Sequence, residues 1–275
     1  MPGRDVRVLM TALGGLGYDG GALLAAANLR DTDLDDPDGR VPCEALGVIV
    51  SRAQQARFTP NLALEAARLV PIGSNRLLDY LVLTSDTVGA GVGQMARYFA
   101  LIGSPVALQV HERGDPIRVE MPGSPAPFSV EFVVSLMSLH FREETDGRYA
   151  PARISFMHAP DDVPAFERIL GCPVEPKAPW NGVSIARDAW RLPLRRRDPV
   201  LRQLLQAQAD EVLARLPARA GLALEVQRAL TTRVGGGDTR IATLAPKFAM
   251  SARTLQRRLA DQGVSYRDLL EDARK

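Results

Sequence analysis

The chain has 275 residues, of which 46% are hydrophobic and 24% charged, a composition that excludes a disordered chain and leaves room for two packed domains. Its formal net charge is only +2, so nucleic-acid binding has to depend on where the basic residues lie and not on their sum. Cys43 and Cys172 are too few for a disulfide framework and lack zinc-site spacing, and no stretch approaches the roughly 20 apolar residues of a membrane span, so we expect a reducing, cytoplasmic compartment and no membrane partner.

The N-terminal part of the sequence begins with helical patterns. Within residues 18–29, Leu23, Leu24 and Ala27 repeat at helical spacing. Asp19 precedes them as a candidate N-cap. The segments Glu44 to Arg57 and Leu62 to Leu69 show the same amphipathic spacing. These segments are predicted to be packing helices.

A further helix is predicted between residues 88 and 99, where, despite three glycines, the apolar residues fall on one side, namely Val88, Val92, Met95, Tyr98 and Phe99. Ser85 and Asp86 precede it as a cap signal. Packing in the core is the favoured role for its apolar side chains and for Phe132 and Phe156, although such residues also line ligand pockets.

Strand-like runs follow at Val106 to Glu112 and Ile117 to Met121, separated by the turn sequence RGDP, and a third run lies at Ala152 to His158. Phe128 to Leu139 is apolar on nearly every face and predicts a buried helix, and Ala165 to Leu170 predicts a short one. Because the strands are adjacent and linked as a hairpin, the sequence predicts an α+β domain with an antiparallel sheet and flanking helices.

The Pro-rich segment Gly171 to Pro199 predicts extended or loop structure that closes this first domain, residues 1–199. Within it, Arg195 to Arg197 is interpreted as a solvated surface rather than a phosphate site. Val200 to Leu216 predicts an amphipathic connecting helix, residues 200–217, whose apolar side we expect to be covered by the first domain or by a second subunit.

Residues 218–275 contain three closely spaced helical patterns. Leu222 to Val234 is the first, and Asp238 or Thr239 caps a short second helix. Two residues later a third helix begins, with Leu255 and Leu259 one turn apart, able to pack on the second. A capped short helix, a tight connection and a second helix together predict an all-α helix-turn-helix segment.

The outer face of the third helix carries Arg253, Gln256 and Arg257. Arginine forks onto a guanine edge and glutamine onto an adenine edge, while Ser251, with Thr254 beside it, suits a helix start that meets a phosphate. An isolated Arg-rich helix indicates only a solvated surface. The surrounding helix-turn-helix pattern changes that interpretation, so these five residues are the predicted contacts to double-stranded DNA.

Residues 241–270 resemble the first helix-turn-helix of the AraC/XylS family of transcription regulators, through the stretches MSxRTLQRRL at 250–259 and GxSYRxLL at 263–270. Residues 79–103 and 166–181 are similar to the arabinose-binding-like sensor domain of some members. The resemblance implies a cytoplasmic, often dimeric regulator whose N-terminal domain senses a small-molecule effector and which acts at promoters with RNA polymerase. It also places Arg253, Gln256 and Arg257 where members carry groove-facing residues.

Two features depart from the family pattern. DNA-binding domains of the family have two helix-turn-helix units joined by a helix, whereas this sequence reaches Lys275 within the segment that begins at Tyr266. We therefore expect truncation after the first unit. Pro246 lies inside the predicted bracing helix, where a proline costs about 3 kcal/mol in an unperturbed helix interior.

Two other function classes compete. Gly15 to Gly20, GLGYDG, matches a dinucleotide fingerprint after the strand-like Val6 to Met10, but the second parallel strand of that fold is replaced by an acidic loop. His111, His140 and His158 have no partner motif for nucleophilic catalysis or metal binding, so no catalytic residue, metal or cofactor is predicted. The remaining alternative is a ligand-binding or dimerising module that does not itself read DNA, because one helix-turn-helix offers a small contact area.

Overall fold

A computed structural model of the protein describes residues 3–35, 39, 41–42, 44–102, 107–123, 125–215, 222, 225–226, 229–230, 238–248, 250–260 and 265–274. The chain forms two compact units. Residues 1–121 and 125–209 make up the N-terminal unit, and residues 122–124 and 210–275 make up the C-terminal unit. None of the helices in these described ranges is both long enough and apolar enough to cross a bilayer.

The helices of the N-terminal unit surround a small sheet. They are α1 (Gly3–Gly15), α2 (Gly20–Ala26), α3 (Glu44–Ala56), α4 (Leu62–Ala67), α5 (Arg76–Leu83), α6 (Val88–Tyr98), α7 (Pro127–Glu144), α8 (Val163–Leu170), α9 (Arg187–Trp190) and α10 (Pro199–Arg215), which continues past the unit boundary. Short 3-10 turns lie at Asp31–Leu34 and Phe99–Ile102. The strands are β1 (Gln109–His111), β2 (Ile117–Met121), β3 (Arg153–Ser155), β4 (Val174–Glu175) and β5 (Asn181–Ile185).

The strands form one sheet in the order β1-β2-β5-β3-β4. The predicted hairpin is present, with Val110 opposite Val119, and Val183 of β5 pairs with Val119 on one side and Ile154 on the other. The α+β class is therefore confirmed. Only the β3–β4 pair is parallel among the described strands, because α8 forms the crossover that a parallel connection requires.

The segment Gly171 to Pro199 contains more structure than its prolines predicted. It supplies β4, α9 and β5, which is the central strand of the sheet. Gly182 of β5 has φ +144, and a Cβ there would collide with the carbonyl oxygen of Val119 on β2. The glycine thus permits the close approach of two paired backbones.

The strand-like interpretation of Val6 to Met10 is wrong, because the segment lies in α1. Val6, Leu9, Met10 and Leu13 are all buried, and their spacing of three and four residues lies on one face of a helix. They join the core that packs α1 to α4. Consequently the GLGYDG sequence links two helices and does not follow a strand.

Two helix starts illustrate the capping rules. Asp19 caps α2 as predicted, with its carboxylate accepting a hydrogen bond from the Ala22 backbone N at 3.1 Å. The cap of α6 is Thr87, whose hydroxyl accepts from Ala90 N at 3.2 Å. Asp86, which was part of the predicted cap signal, instead forms an ion pair with Arg202 of α10 at 3.2 Å.

The arginine run after α9 has a structural role in addition to its solvated surface. Glu144, at the end of α7, is fully buried, and its carboxylate forms ion pairs with Arg196 and Arg195. Arg195 N also donates to Glu144 O at 2.8 Å. A buried carboxylate requires such partners to offset its lost hydration. The contacts of Glu144 with Arg195 and Arg196 therefore hold the segment that leads into α10 against the end of α7.

The predicted connecting helix is present as α10, and two apolar side chains near its start are exposed. Val200 is 70% exposed and Leu204 is 66% exposed. Asp198 accepts hydrogen bonds from Val200 N and Leu201 N, which fixes the start of the helix. The expected cover is therefore missing at Val200 and Leu204, whereas Leu205 and Leu213 are half-buried.

Among the residues that the structure describes from 238 onwards, the C-terminal unit contains α11 (Ile241–Leu244), a 3-10 turn (Ala245–Phe248), α12 (Ala252–Ala260) and α13 (Tyr266–Arg274). The predicted helix from Leu222 to Val234 lies largely outside the described residues. Pro246 does not occupy a helix interior, because α11 ends at Leu244 and proline is the second residue of the 3-10 turn. Because proline has no N–H, it cannot continue the α-helical hydrogen bonds, which is consistent with the change from α-helix to a 3-10 turn at Ala245.

Candidate nucleic-acid interface and ligand cavity

Helix α12 is held by a small apolar core. Leu255 and Leu259 are fully buried and join Leu244, Ala245 and Phe248 in one cluster. Full burial of a leucine contributes about 1.5 to 3 kcal/mol, so these two residues fix which face of the helix is turned outward. The small Ala245 is also buried where α11 passes into the 3-10 turn.

The start of α12 is capped as predicted. Ser251 Oγ accepts a hydrogen bond from Thr254 N at 3.1 Å and lies 2.8 Å from Thr254 Oγ1. Ser251 is exposed and Thr254 is half-buried. The predicted pair is thus brought together at the positive end of the helix dipole, where an anion is stabilised.

Arg253, Gln256 and Arg257 are exposed on the face away from the leucines. At about 100° per residue, Arg257 lies opposite the buried pair, with Arg253 and Gln256 on one flank and Arg258 on the other. Helix α12 contains no acidic residue. The face therefore presents only side chains that can hydrogen-bond to base edges and phosphates.

A polar network holds residues 238–243, which lead into α11 and are called the bracing turn. Asp238 accepts hydrogen bonds from Arg240 N at 3.0 Å and Thr243 Oγ1 at 2.7 Å, and it pairs with the Arg240 guanidinium. The hydrogen bonds from Arg240 hold the pKa of the Asp238 carboxyl well below its usual range. The N-cap residue of α11 is Arg240, without a side-chain cap hydrogen bond, so the predicted cap at Asp238 or Thr239 is wrong. Asp238 instead binds the cap residue and Thr243, and the carbonyl oxygen of Thr239 accepts a hydrogen bond from Tyr266 Oη of α13 at 2.9 Å.

The N-terminal unit contains a cavity of about 150 Å³. Its wall is formed by α1, α3, α5, α6, α7 and the turn Phe99–Ile102, and most lining side chains are apolar. Met95 and Phe132, two of the residues weighed earlier, line it, whereas Tyr98 and Phe156 are fully buried and belong to the core.

Asp79 and His140 add polar chemistry to this cavity. Asp79 Oδ2 accepts from Gly73 N at 3.1 Å and Asn75 N at 3.0 Å, and His140 Nε2 lies 3.1 Å from Val70 O. Burial raises the pKa of Asp79. Sequence reasoning missed this pair, and its only signal was one acid within the apolar sequence LLDYLVL of α5.

A second, wider cavity of about 660 Å³ lies on the other side of Phe128. His158 Nε2 and Glu131 Oε1 are 2.7 Å apart at its wall, and the His158 ring packs against Phe156 at 5.2 Å between centroids. His111 pairs with Glu120 at 3.3 Å on the sheet. In the part of the chain that is described, no group of three or more His, Cys, Asp or Glu side chains is arranged to hold a metal ion.

Cys172 lines neither of these cavities. Cys172 is a free, buried thiol, and burial raises its pKa to about 11. A thiol in that state is a poor nucleophile, because the thiolate is the reactive form. Cys43 lies outside the described residues.

A family model matches residues 17–194, more than half of the chain, and it is described as the arabinose-binding domain of AraC transcription regulators, N-terminal. The chain belongs to this family. The matched residues lie in the N-terminal unit that contains both cavities.

Two bacterial regulators are similar to this chain over most of its length. The ornithine utilization regulator of Pseudomonas aeruginosa is 26% identical over 263 residues, which cover 92% of this chain and 76% of that protein. VirS of Mycobacterium tuberculosis, an HTH-type transcriptional regulator, is 25% identical over 224 residues, 78% of this chain and 65% of that protein.

The crystal structure of the transcriptional regulator CdpR from Pseudomonas aeruginosa has a similar fold. It matches with a TM-score of 0.51 and 18% identity, and the match covers 92% of this chain and 80% of CdpR. At this identity the likeness concerns the fold alone.

Proposed function

We propose that the protein is an effector-responsive regulator of transcription that binds promoter DNA in a sequence-dependent way through α12. The single observation that carries this proposal is the outward, acid-free face formed by Arg253, Gln256 and Arg257 above the buried Leu255 and Leu259. The family and its HTH-type relatives support the same function.

The geometry supports base reading by Arg257 and Gln256. A helix enters the major groove with its N-terminal residues towards the bases, and arginine is the side chain that most often reads guanine. Ser251 at the helix start is in the position of a phosphate contact. In this arrangement Arg253, Gln256 and Arg257 face the bases, and Ser251 and Thr254 position the start of the helix on the backbone.

The experiment selects a preferred duplex from a randomised pool with this chain, and then measures its affinity for that duplex and a random one at two salt concentrations. Arg257→Ala should weaken binding to the preferred duplex by about 1 to 3 kcal/mol and relax the preference at one base position. Arg258→Ala is the matched control, because it removes the same charge from the flank of the same helix. It should weaken binding to both duplexes by the same factor and make the affinity less dependent on salt, while the base preference stays unchanged.

Two outcomes would count against this proposal. A chain that enriches no sequence from the pool would be a ligand-binding or dimerising module without DNA reading. Equal effects of the two arginine variants on specific and random duplexes would make Arg257 a phosphate contact and would remove the assigned base-reading face.

The proposal includes effector sensing by the N-terminal unit, supported by its cavities and its family. From the resemblance it also includes RNA polymerase and a second copy of the chain as partners. The exposed Val200 and Leu204 of α10 give the dimer a test. Leu204→Glu should convert a dimer into a monomer in sedimentation experiments, whereas Gln203→Glu on the same turn should leave it intact.

A further inference from the structure

We propose that the cavity between α5, α6 and α7 binds a single-ring aromatic amine, with the ring among phenylalanines and the ammonium group at Asp79. This inference rests on the proposed function, because it names the chemical class of the effector. It depends on three properties of the cavity, which are its volume, its charges and its aromatic wall.

The volume limits the ligand to one ring. The cavity measures about 150 Å³, and an engineered apolar cavity of about 150 Å³ in another protein binds benzene. A fused two-ring system exceeds this space unless the wall moves. A short side arm on one ring reaches the polar residues without enlarging the apolar part.

The charges select a cation over an anion. Among the described lining residues, Asp5 and Asp79 carry carboxyl groups, His140 is the only basic side chain, and neither lysine nor arginine is present. The raised pKa of Asp79 reflects its loss of water on burial. An ammonium ion would compensate that desolvated carboxylate, whereas a ligand carboxylate would face two acids without a permanent positive charge.

The wall suits an aromatic ring. Phe99, Phe128, Phe132 and Phe141 line the cavity, and Phe128 and Phe132 stack with their centroids 5.8 Å apart. Aromatic rings attract one another in offset-stacked and edge-to-face arrangements beyond the effect of the area that they bury. A ring therefore fits this wall better than an aliphatic chain of equal volume.

The test measures binding of benzylamine to the full chain by calorimetry and by thermal shift. Benzoate, which has the same ring and the opposite charge, and naphthylmethylamine, which has a second ring, are the matched controls. We expect benzylamine to bind and to raise the melting temperature, and the two controls to have at least tenfold weaker affinity.

The variant Asp79→Asn examines the assigned contact. The asparagine oxygen can still accept from the backbone N of Gly73 and Asn75, so the fold should be retained, and circular dichroism verifies this. Affinity for benzylamine should fall at least tenfold, while toluene, which lacks the ammonium group, should bind both proteins equally. Asp31→Asn, at an exposed carboxylate outside this cavity, should leave benzylamine binding unchanged.

The results separate this inference from the proposed function. A chain that selects a DNA sequence but binds benzoate as well as benzylamine, or neither of them, overturns the ligand assignment alone. A chain that binds benzylamine through Asp79 but selects no DNA sequence supports the ligand assignment and contradicts the proposed function. An Asp79→Asn protein with unchanged benzylamine affinity also overturns the assignment.

Discussion

The N-terminal and C-terminal units are held together in different ways. In the N-terminal unit the central strand β5 comes late in the chain and pairs with β2 and β3, and Glu144 binds arginines more than 50 residues away. In the C-terminal unit, one small core combines buried side chains that all lie between Leu222 and Leu269, among them Leu244, Leu255 and Leu259.

The cavity of the N-terminal unit requires five helices to meet. The outward face of α12 lies on a single helix, which the C-terminal core holds through Leu255 and Leu259. Substitutions in the C-terminal unit should therefore act on DNA binding directly. Substitutions in the N-terminal unit should act through its stability or its ligand.

The largest expected effect is at Leu255, on the buried face of α12. Leu255→Asp places a carboxylate in the apolar cluster, so the cost should exceed the about 2 to 5 kcal/mol typical of a buried Leu→Ala change. DNA binding should be lost through local unfolding, measured by anisotropy and by hydrogen exchange of α11 to α13. Leu255→Met, which preserves volume, should retain binding, and a bound, folded Leu255→Asp protein would refute the assigned core.

The next effect is in the sheet of the N-terminal unit. Gly182→Ala should destabilise this unit by about 3 kcal/mol, because the added methyl group meets the Val119 backbone and neither strand can move freely. Gly147→Ala is the control, since Gly147 also has a positive φ, +80, but open space around it. Its cost should be about 1 kcal/mol, for strain alone. Equal losses in urea denaturation would show that the close approach is unimportant.

A moderate effect is expected at Arg196, in the segment of the N-terminal unit that precedes α10. Arg196→Ala removes one partner of the buried Glu144, and we expect a loss of about 2 kcal/mol, since Arg195 remains and Arg196 is partly in water. Arg197→Ala, an exposed neighbour, is the control and should change the free energy of unfolding by less than about 0.5 kcal/mol. Identical unfolding curves for the two variants would show that the ion pair between Arg196 and Glu144 does not contribute to the stability of this unit.

The smallest effect is expected at the bracing turn. Asp238→Ala should lower the melting temperature of the C-terminal unit slightly, because Arg240 N and Thr243 Oγ1 lose their acceptor. The pKa of Asp238 is lower in the folded chain than its ordinary value of 3.8. Its contribution is therefore complete above pH 3.8 and is lost as the pH falls through the lower folded pKa.

Melting curves between pH 2 and pH 6 check this sign. The difference between the parent chain and Asp238→Ala should be constant above about pH 5 and should shrink as the medium becomes acidic. A difference that grew with falling pH would reverse the assignment. Asp210→Ala, outside the bracing turn, serves as the charge-matched control.

Several elements followed directly from local patterns in the sequence. Apolar spacing predicted α3 and α12, and a run that is apolar on nearly every face predicted α7. The hydrogen bonds of Asp19 and Ser251 match their predicted caps. The hairpin of β1 and β2 followed from two β-prone runs around a turn. In each case the deciding contacts lie within a few residues, where propensity and periodicity carry the information.

Local sequence patterns gave wrong predictions where contacts with residues distant in the chain determine the structure. The β-prone Val6 to Met10 is helical because its spacing matches the core formed with α2, α3 and α4. Ser85 and Asp86 lost the cap position to Thr87 because Asp86 pairs with Arg202. The prolines of residues 171–199 concealed β5 because its hydrogen-bonding partners lie in β2 and β3.

By itself the sequence determined the α+β class, most of the helices and the polar outer face of α12, since each depends on side-chain spacing along a single element. Tertiary structure alone decided the place of β5 in the sheet, the burial of Glu144 beside Arg196, and the cavity that holds Asp79 near His140. Burial and pairing are properties of residues distant in the chain, and they come into existence only when the elements pack.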